Sequence, residues 1–293
     1  MTATLHLGFT GSPLDKADHL RRDAAAIQAA RMHPSARFLI LDDLKPLMAD
    51  GGTDLFWARR SECPDGLMIF LGLNADGEPR FAVDGKPHDD LPARATDARA
   101  AGAALADSRA ALIAQARSVL DWHRRHRFCA ACGSPTDVQK AGYSRLCTGC
   151  GAEHFPRVDP VVIMLAEKDG LALVGRGPRF PAGFFSALAG FVEPGESLEE
   201  AVARELHEEA GIRVDSVRYG ASQPWPFPSS LMMGAFAVAQ GFELALDETE
   251  ISEARWVSRE EVRAALAGRA DWNAPPPLAI AHWLLATWAG QPD

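Results

Sequence analysis

The chain has 293 residues, of which 47% are hydrophobic and 24% charged, with a formal net charge of −9. That length exceeds one ordinary domain and predicts two, or two plus a small insert, and the composition supplies enough apolar surface for proper cores. The acidic balance excludes sequence-independent nucleic-acid binding by the whole surface, though not a local basic patch.

No apolar run approaches the roughly 20 residues that a bilayer requires, and the stretch from Met1 to His6 lacks the charged and apolar regions of a secretory signal. The expectation is a cytoplasmic protein that does not engage a membrane. Four of the five cysteines fall in two tight pairs, which suits metal binding in a reducing compartment better than disulfides. Cys63 is left over as a lone thiol.

Residues 1–105 predict a small β-rich domain. Apolar runs over 36–41 and 66–73 read as strands, and 74–79 as the turn before a further strand at 81–83. No function follows from these residues. The next stretch is rich in Ala, Leu, Arg and Gln, and Ala110, Ile113, Ala114, Ala116 and Leu120 recur at helical spacing, so 106–126 is assigned as a linker helix ending near His123 to His126. Both histidines read as a basic, partly solvated helix end.

Cys129-x-x-Cys132-Gly and Cys147-x-x-Cys150-Gly follow, two knuckles with four-thiolate zinc spacing. A tetrahedral Zn²⁺ held by four thiolates is a closed structural site, and it can fold a segment too short for its own core. A redox dithiol and an iron site use the same ligands and stand as alternatives. The ribbon is assigned to 127–156.

From Asp159 the composition changes again. Residues 160–166 and 171–175 predict a hairpin with Asp169-Gly170 as its turn, and a strand over 185–191 leads into an acidic helix. Ser197 with Glu200 has the form of a capping box, and Gly211 of a left-handed stop. Leu198, Ala201, Val202 and Leu206 form the packing face, while Glu205, Glu208 and Glu209 gather elsewhere. Such a face is either solvated, with Arg204 pairing to Glu200 and Glu208, or it holds a hard divalent cation. Ser222-Gln-Pro-Trp-Pro-Phe-Pro-Ser-Ser230 predicts a stiff loop presenting Trp225 and Phe227. Strands over 234–239 and 254–257, a capped helix from Ser258 and a last helix over 278–288 complete the chain.

Gly190, Glu196, Arg204-Glu205-Leu206, Glu208-Glu209 and Gly211-Ile212 stand at the spacing of the Nudix box, and the segment resembles that family's. The knuckles ahead of it and the 222–230 motif behind it resemble the NADH pyrophosphatase branch. The resemblance implies an α+β protein, with a Nudix α/β/α sandwich on a mixed sheet over 157–293. It implies Mg²⁺ or Mn²⁺ held by Glu205, Glu209 and Glu250, with Glu208 and the Ala189 carbonyl as further ligands. The base would be Glu208 or Glu209. Phe191 would stack on nicotinamide, and Gln223, Pro224, Trp225, Pro226, Phe227, Pro228, Ser229, Ser230 and Ala281 would line the dinucleotide pocket. Phe155 falls where the branch often has a Tyr that reaches across a homodimer interface. The implied reaction is hydrolysis of the diphosphate of NADH and NAD⁺ to nicotinamide mononucleotide and AMP. Removal of NAD caps from RNA uses the same chemistry, and a non-catalytic nucleotide sensor is the alternative of a different class.

Overall fold

The structure, a computed structural model, describes residues 7–105 and 107–291, so the reading of residues 1–6 lies outside them. The chain forms two compact units, one of Phe9–Val158 with Trp225–Ser229, the other of the remainder. Among the described residues no helix is long and apolar enough to cross a membrane.

The first unit opens with α1 (Asp18–Arg21) and α2 (Ala24–Met32), the latter capped by Asp23, whose side chain accepts from the Ala25 and Ala26 amides. Strands β1 (Arg37–Asp42), β2 (Lys45–Ala49), β3 (Leu67–Leu73), β4 (Pro79–Asp84) and β5 (Ala93–Ala95) form a sheet in the order β3-β4-β1-β2-β5. Its core is Phe38, Ile40, Leu47, Phe70, Phe81 and Val83. The Ala-rich stretch contains two helices, α3 (Ala98–Leu105) and α4 (Ala110–Arg125). Asp107 ties the junction by accepting from the Arg109 amide at 2.8 Å.

Strands β6 (Thr136–Gln139), β7 (Ser144–Cys147) and β8 (Glu153–His154) form the ribbon. His123 corrects the expectation of a solvated helix end: it is only 2% exposed. Its Nε2 faces the Gly142 carbonyl at 2.8 Å and its Nδ1 accepts from Arg145 at 2.9 Å, an arrangement that calls for the neutral imidazole. Burial pushes its pKa down to about 4, and the Arg145 charge works in the same direction. Arg145 is buried as well, donating to Thr136, so it is no cation offered to a ligand.

In the second unit, β9 (Asp159–Lys168), β10 (Leu171–Arg176), β11 (Leu188–Phe191), β12 (Val214–Trp225), β13 (Ser230–Ala239) and β14 (Glu253–Ser258) form a sheet in the order β12-β13-β9-β10-β14, with β11 also paired to β9. The sheet is mixed, since β13 runs parallel to β9 while β10 and β11 run antiparallel. Alternation along β9 feeds two cores: Ile163 and Leu165 join Phe236, Leu284 and Trp288, whereas Val162, Met164 and Ala166 join Val202, Leu206 and Ala235. Helices α6 (Arg259–Leu266) and α7 (Ile280–Ala289) cover the first face, and α5 (Leu198–Ala210) covers the second. That is an α/β/α sandwich.

The hairpin turn forms as expected, with Asp169 and Gly170 at φ 48° and 78°. Residues 222–225, expected in a loop, continue β12. This is an edge strand, where the missing proline N–H interrupts no central ladder.

Candidate active site

Helix α5 begins and ends on its own local signals. Ser197 and Glu200 form the reciprocal capping box, and Gly211 takes φ 73° so that the Ile212 amide folds back onto the Leu206 carbonyl at 3.0 Å. Ala201, Val202, Leu206 and Ala210 are buried, which turns Glu205 and Glu209 toward β11 and the cleft. Gly190 on β11 lies against this helix. A Cβ there would stand 1.9 Å from Glu205 Cδ, so only glycine admits the carboxylate.

Arg204 organises the acidic set. It donates to Glu196 at 2.6 and 2.9 Å, to Glu205 at 2.9 Å, to Glu208 at 2.9 Å and to the Phe191 carbonyl at 2.8 Å. The solvated pairing of Arg204 with Glu208 therefore does form, as one part of a larger network, whereas Glu200 turns back to cap the helix.

Glu250 comes from a distant loop. Backbone bonds from Ala245 to the Ala210 carbonyl and from Asp247 to the Glu209 carbonyl fasten that loop to the end of α5, and the Glu250 amide donates to Asp247. Oxygens of Glu205, Glu209 and Glu250 consequently lie within 4.8 Å of one another.

These three carboxylates fit a divalent cation. Glu209 is 5% exposed, and its Oε2 is buried without a hydrogen-bond partner. Burial, with the charges of Glu205, Glu250, Asp247 and Glu208 behind it, pushes the Glu209 carboxyl up to about 8. Burial also raises Glu205, against the opposing pull of Arg204. A buried acceptor with no donor among crowded carboxylates costs free energy that a cation with oxygen ligands would recover.

The cleft around them measures about 1070 Å³ and is lined by Ala189, Phe191, Glu208, Arg179 and Phe180 as well as the three carboxylates. Phe191 is 62% exposed at its rim. Sequence reasoning passed over Arg179 and Phe180. Their only signal was a Gly-Pro-Arg-Phe-Pro turn between two strands.

The other predicted residues are placed differently. Gln223 is fully buried, its amide nitrogen donating to the Gly8 and Leu278 carbonyls and its oxygen accepting from the Ile280 amide. Both amide hydrogens are committed and the side chain is buried, so it anchors the first turn of α7. Ala281 lies in the core of that helix at 3% exposure, and neither it nor Gln223, Pro224 or Ser230 lines the carboxylate cleft.

Trp225 and Phe227 belong to the first unit, where they meet each other and Phe9 edge to face. Arg99 lies 3.7 Å over the Phe227 ring, Arg117 donates to the Pro226 carbonyl and Ser118 to that of Pro228. Ser229 is buried there too. Phe155, also in the first unit, is 59% exposed, with Lys140 Nζ 5.2 Å from its ring centre.

The ribbon gathers its thiols as tightly as the cleft gathers its carboxylates. Sulfurs of Cys129, Cys132, Cys147 and Cys150 lie within 4.8 Å of one another. Amides of Ala131, Gly149 and Cys150 point at the sulfurs at 3.3–3.4 Å. Gly133 and Gly151 take φ 76° and 74°, which gives each knuckle its tight return. The donor set fits tetrahedral Zn²⁺. His154, absent from the predicted set, places Nε2 3.2 Å from Cys129 Sγ, where it can donate to the thiolate.

Comparison with known proteins follows the same division of the chain. A NADH pyrophosphatase-like rudimentary NUDIX domain matches residues 35–122, a NADH pyrophosphatase zinc ribbon domain 124–155, and a NUDIX domain 155–278. The NAD-capped RNA hydrolase NUDT12 of Homo sapiens is 38% identical over 96% of this chain and 72% of its own length. The NAD-capped RNA hydrolase NudC of Mycobacterium bovis is 40% identical over 94% and 92%. With such relatives over nearly its whole length, and with the acidic helix and ribbon in place, the chain belongs to the Nudix hydrolase family, in the branch that carries the NADH pyrophosphatase zinc ribbon.

Proposed function

We propose that the protein hydrolyses the diphosphate of NADH and NAD⁺ to nicotinamide mononucleotide and AMP, and cleaves the same bond where the dinucleotide caps an RNA. The observation that carries this is the three-carboxylate cluster with its buried, unpartnered Glu209 oxygen, set in a cleft with an exposed ring at its rim. The relatives named as NAD-capped RNA hydrolases support the capped substrate.

Glu205, Glu209 and Glu250 would hold Mg²⁺ or Mn²⁺, with the Ala189 carbonyl beside them. When bound, such a cation neutralises the diphosphate and acidifies the attacking water. Glu208 or Glu209 would take the water's proton; with Glu209 among the ligands the role would pass to Glu208, which is 59% exposed on the cleft wall and paired to Arg204. Water adds to one phosphorus, the P–O bond of the anhydride breaks, and the leaving phosphate departs with the bonding pair. Phe191 offers a stacking face for nicotinamide. The Gln223 to Ser230 segment and Ala281 would act toward substrate through the backbone they hold.

The zinc thiolates suit a reducing cytoplasm, and the family resemblance supports a homodimer with Phe155 near its interface. Light scattering on the purified protein tests the dimer. Incubation with NADH and Mn²⁺, followed by detection of AMP, tests the reaction. Binding of NADH without release of AMP would leave the sensor reading standing instead. A parallel assay on NAD-capped RNA ranks the two substrates.

A further inference from the structure

A second cavity, of about 680 Å³, lies in the first unit between the end of α2, the start of β1 and the segment from Arg59 to Met68. Arg31, Arg37, Arg59, Arg60 and His33 line it, and among the described residues Asp65 is the one acid in its wall. Concentrating cations in this way is unexpected in a chain of net charge −9.

Carboxylates do not neutralise the cavity, although Arg21, Arg94, Arg99, Arg117, Arg127 and Arg145 of the same unit are likewise outside the ion pairs among the described residues. Arg22, Arg80, Arg109, Arg124 and Arg125 of the same unit each meet a carboxylate. Among the described residues, none of Arg31, Arg37, Arg59 and Arg60 is in ion-pair contact with one. Arg37 donates only to the Pro34 and Ala36 carbonyls, and Arg31 Nε is buried with no hydrogen-bond partner at all. A buried guanidinium nitrogen without an acceptor is costly unless an anion meets it.

We propose that this cavity binds a phosphorylated ligand of nucleotide size, with the arginines on its phosphate. Guanidinium groups match phosphate oxygens in pairs and are the side chains best suited to the task. The size goes beyond a bare anion: the volume falls in the range of small-molecule pockets, and Met32, Pro34, Pro64 and Met68 supply an apolar wall for a sugar or base. Cys63, also in the wall, takes no covalent part. Burial pushes its thiol up to about 11, and it donates to the Arg59 carbonyl, so no thiolate is offered to a ligand.

The inference does not rest on the diphosphate hydrolysis proposed for the cleft. The test is calorimetric titration of AMP into the full chain with zinc in the ribbon and no other divalent cation added, a condition in which the three carboxylates repel an anion. The expected result is saturable one-to-one binding that Glu209→Gln leaves intact. Combined Arg59→Glu and Arg60→Glu should weaken it by about tenfold or more, a loss of roughly 1.4 kcal/mol. Arg60→Gln alone, at an exposed position, should weaken it severalfold and guards against a misfolded double variant. AMP hydrolysed from NADH by the double variant should appear at the wild-type rate, which separates this site from the cleft. Absence of AMP binding, indifference to both arginine variants, or loss in Glu209→Gln would overturn the proposal. Adenosine or inorganic phosphate binding as tightly as AMP would also overturn it, as would a 5′-phosphorylated RNA binding far more tightly.

Discussion

The ribbon and the cleft solve one electrostatic problem in opposite ways. Each brings like-charged ligand atoms within 4.8 Å of one another, four sulfurs in one place and three carboxylate oxygens in the other. In the ribbon four thiols are the full complement that a tetrahedral Zn²⁺ takes, and backbone amides turn toward the sulfurs, so a bound zinc would have no position open for chemistry. In the cleft the carboxylates leave room, one oxygen has no partner, and Arg204 stands against the charge, with Arg179 also in the wall. A closed cluster stabilises a fold, whereas an open one remains available to a substrate.

That contrast can be broken experimentally, most severely at the ribbon. Cys147→Ser should abolish zinc retention and remove on the order of 10 kcal/mol of the free energy that folds 127–156, seen as loss of bound zinc and as proteolysis within that stretch. At the cleft, Glu209→Gln should lower turnover about 10²-fold or more through loss of a cation ligand, while zinc content and melting temperature hold. Equal effects on both properties from either variant would erase the distinction.

A third test reaches the support beneath the ribbon. His123 titrates near 6.5 when unfolded and about 4 when folded, so over that interval the unfolded chain binds more protons. Stability conferred by its neutral form is present above pH 6.5 and is lost as pH falls toward 4, by up to about 3 kcal/mol. Urea titrations at pH 7 and pH 5 should show this slope, and His123→Asn should flatten it. Smallest is Gly190→Ala, whose new Cβ would collide with Glu205. It should weaken divalent-cation binding about 10–100-fold with the ribbon unaffected, measured by Mn²⁺ titration.

What could be read from the sequence was what is local. The Ser197 box, the Gly211 stop, the Asp169-Gly170 turn and both cysteine knuckles each depend on residues a few positions apart, and each formed as expected. The packing face of α5 was legible for the same reason. Glu250 had no local signal, because backbone bonds to the end of α5 decide its place. His123 looked like a wet helix end until Gly142 and Arg145, from the ribbon, closed over it. Gln223 sat in a motif suggestive of substrate, yet its partners lie at Gly8, Leu278 and Ile280. The basic cavity draws on α2, β1 and the Arg59–Met68 segment, and no short window contains it.

The chain leaves the second unit at Pro224 and returns to it at Ser230, giving the residues between to the first. A gene fragment started at Asp159 would therefore encode Trp225 and Phe227 without Phe9, Arg99 and Arg117, the residues that cover them. It would further expose two aromatic rings that the whole chain keeps half-buried. No single cut divides this protein into its two units, so the hydrolase half is not expected to be inherited, expressed or swapped as a free-standing module.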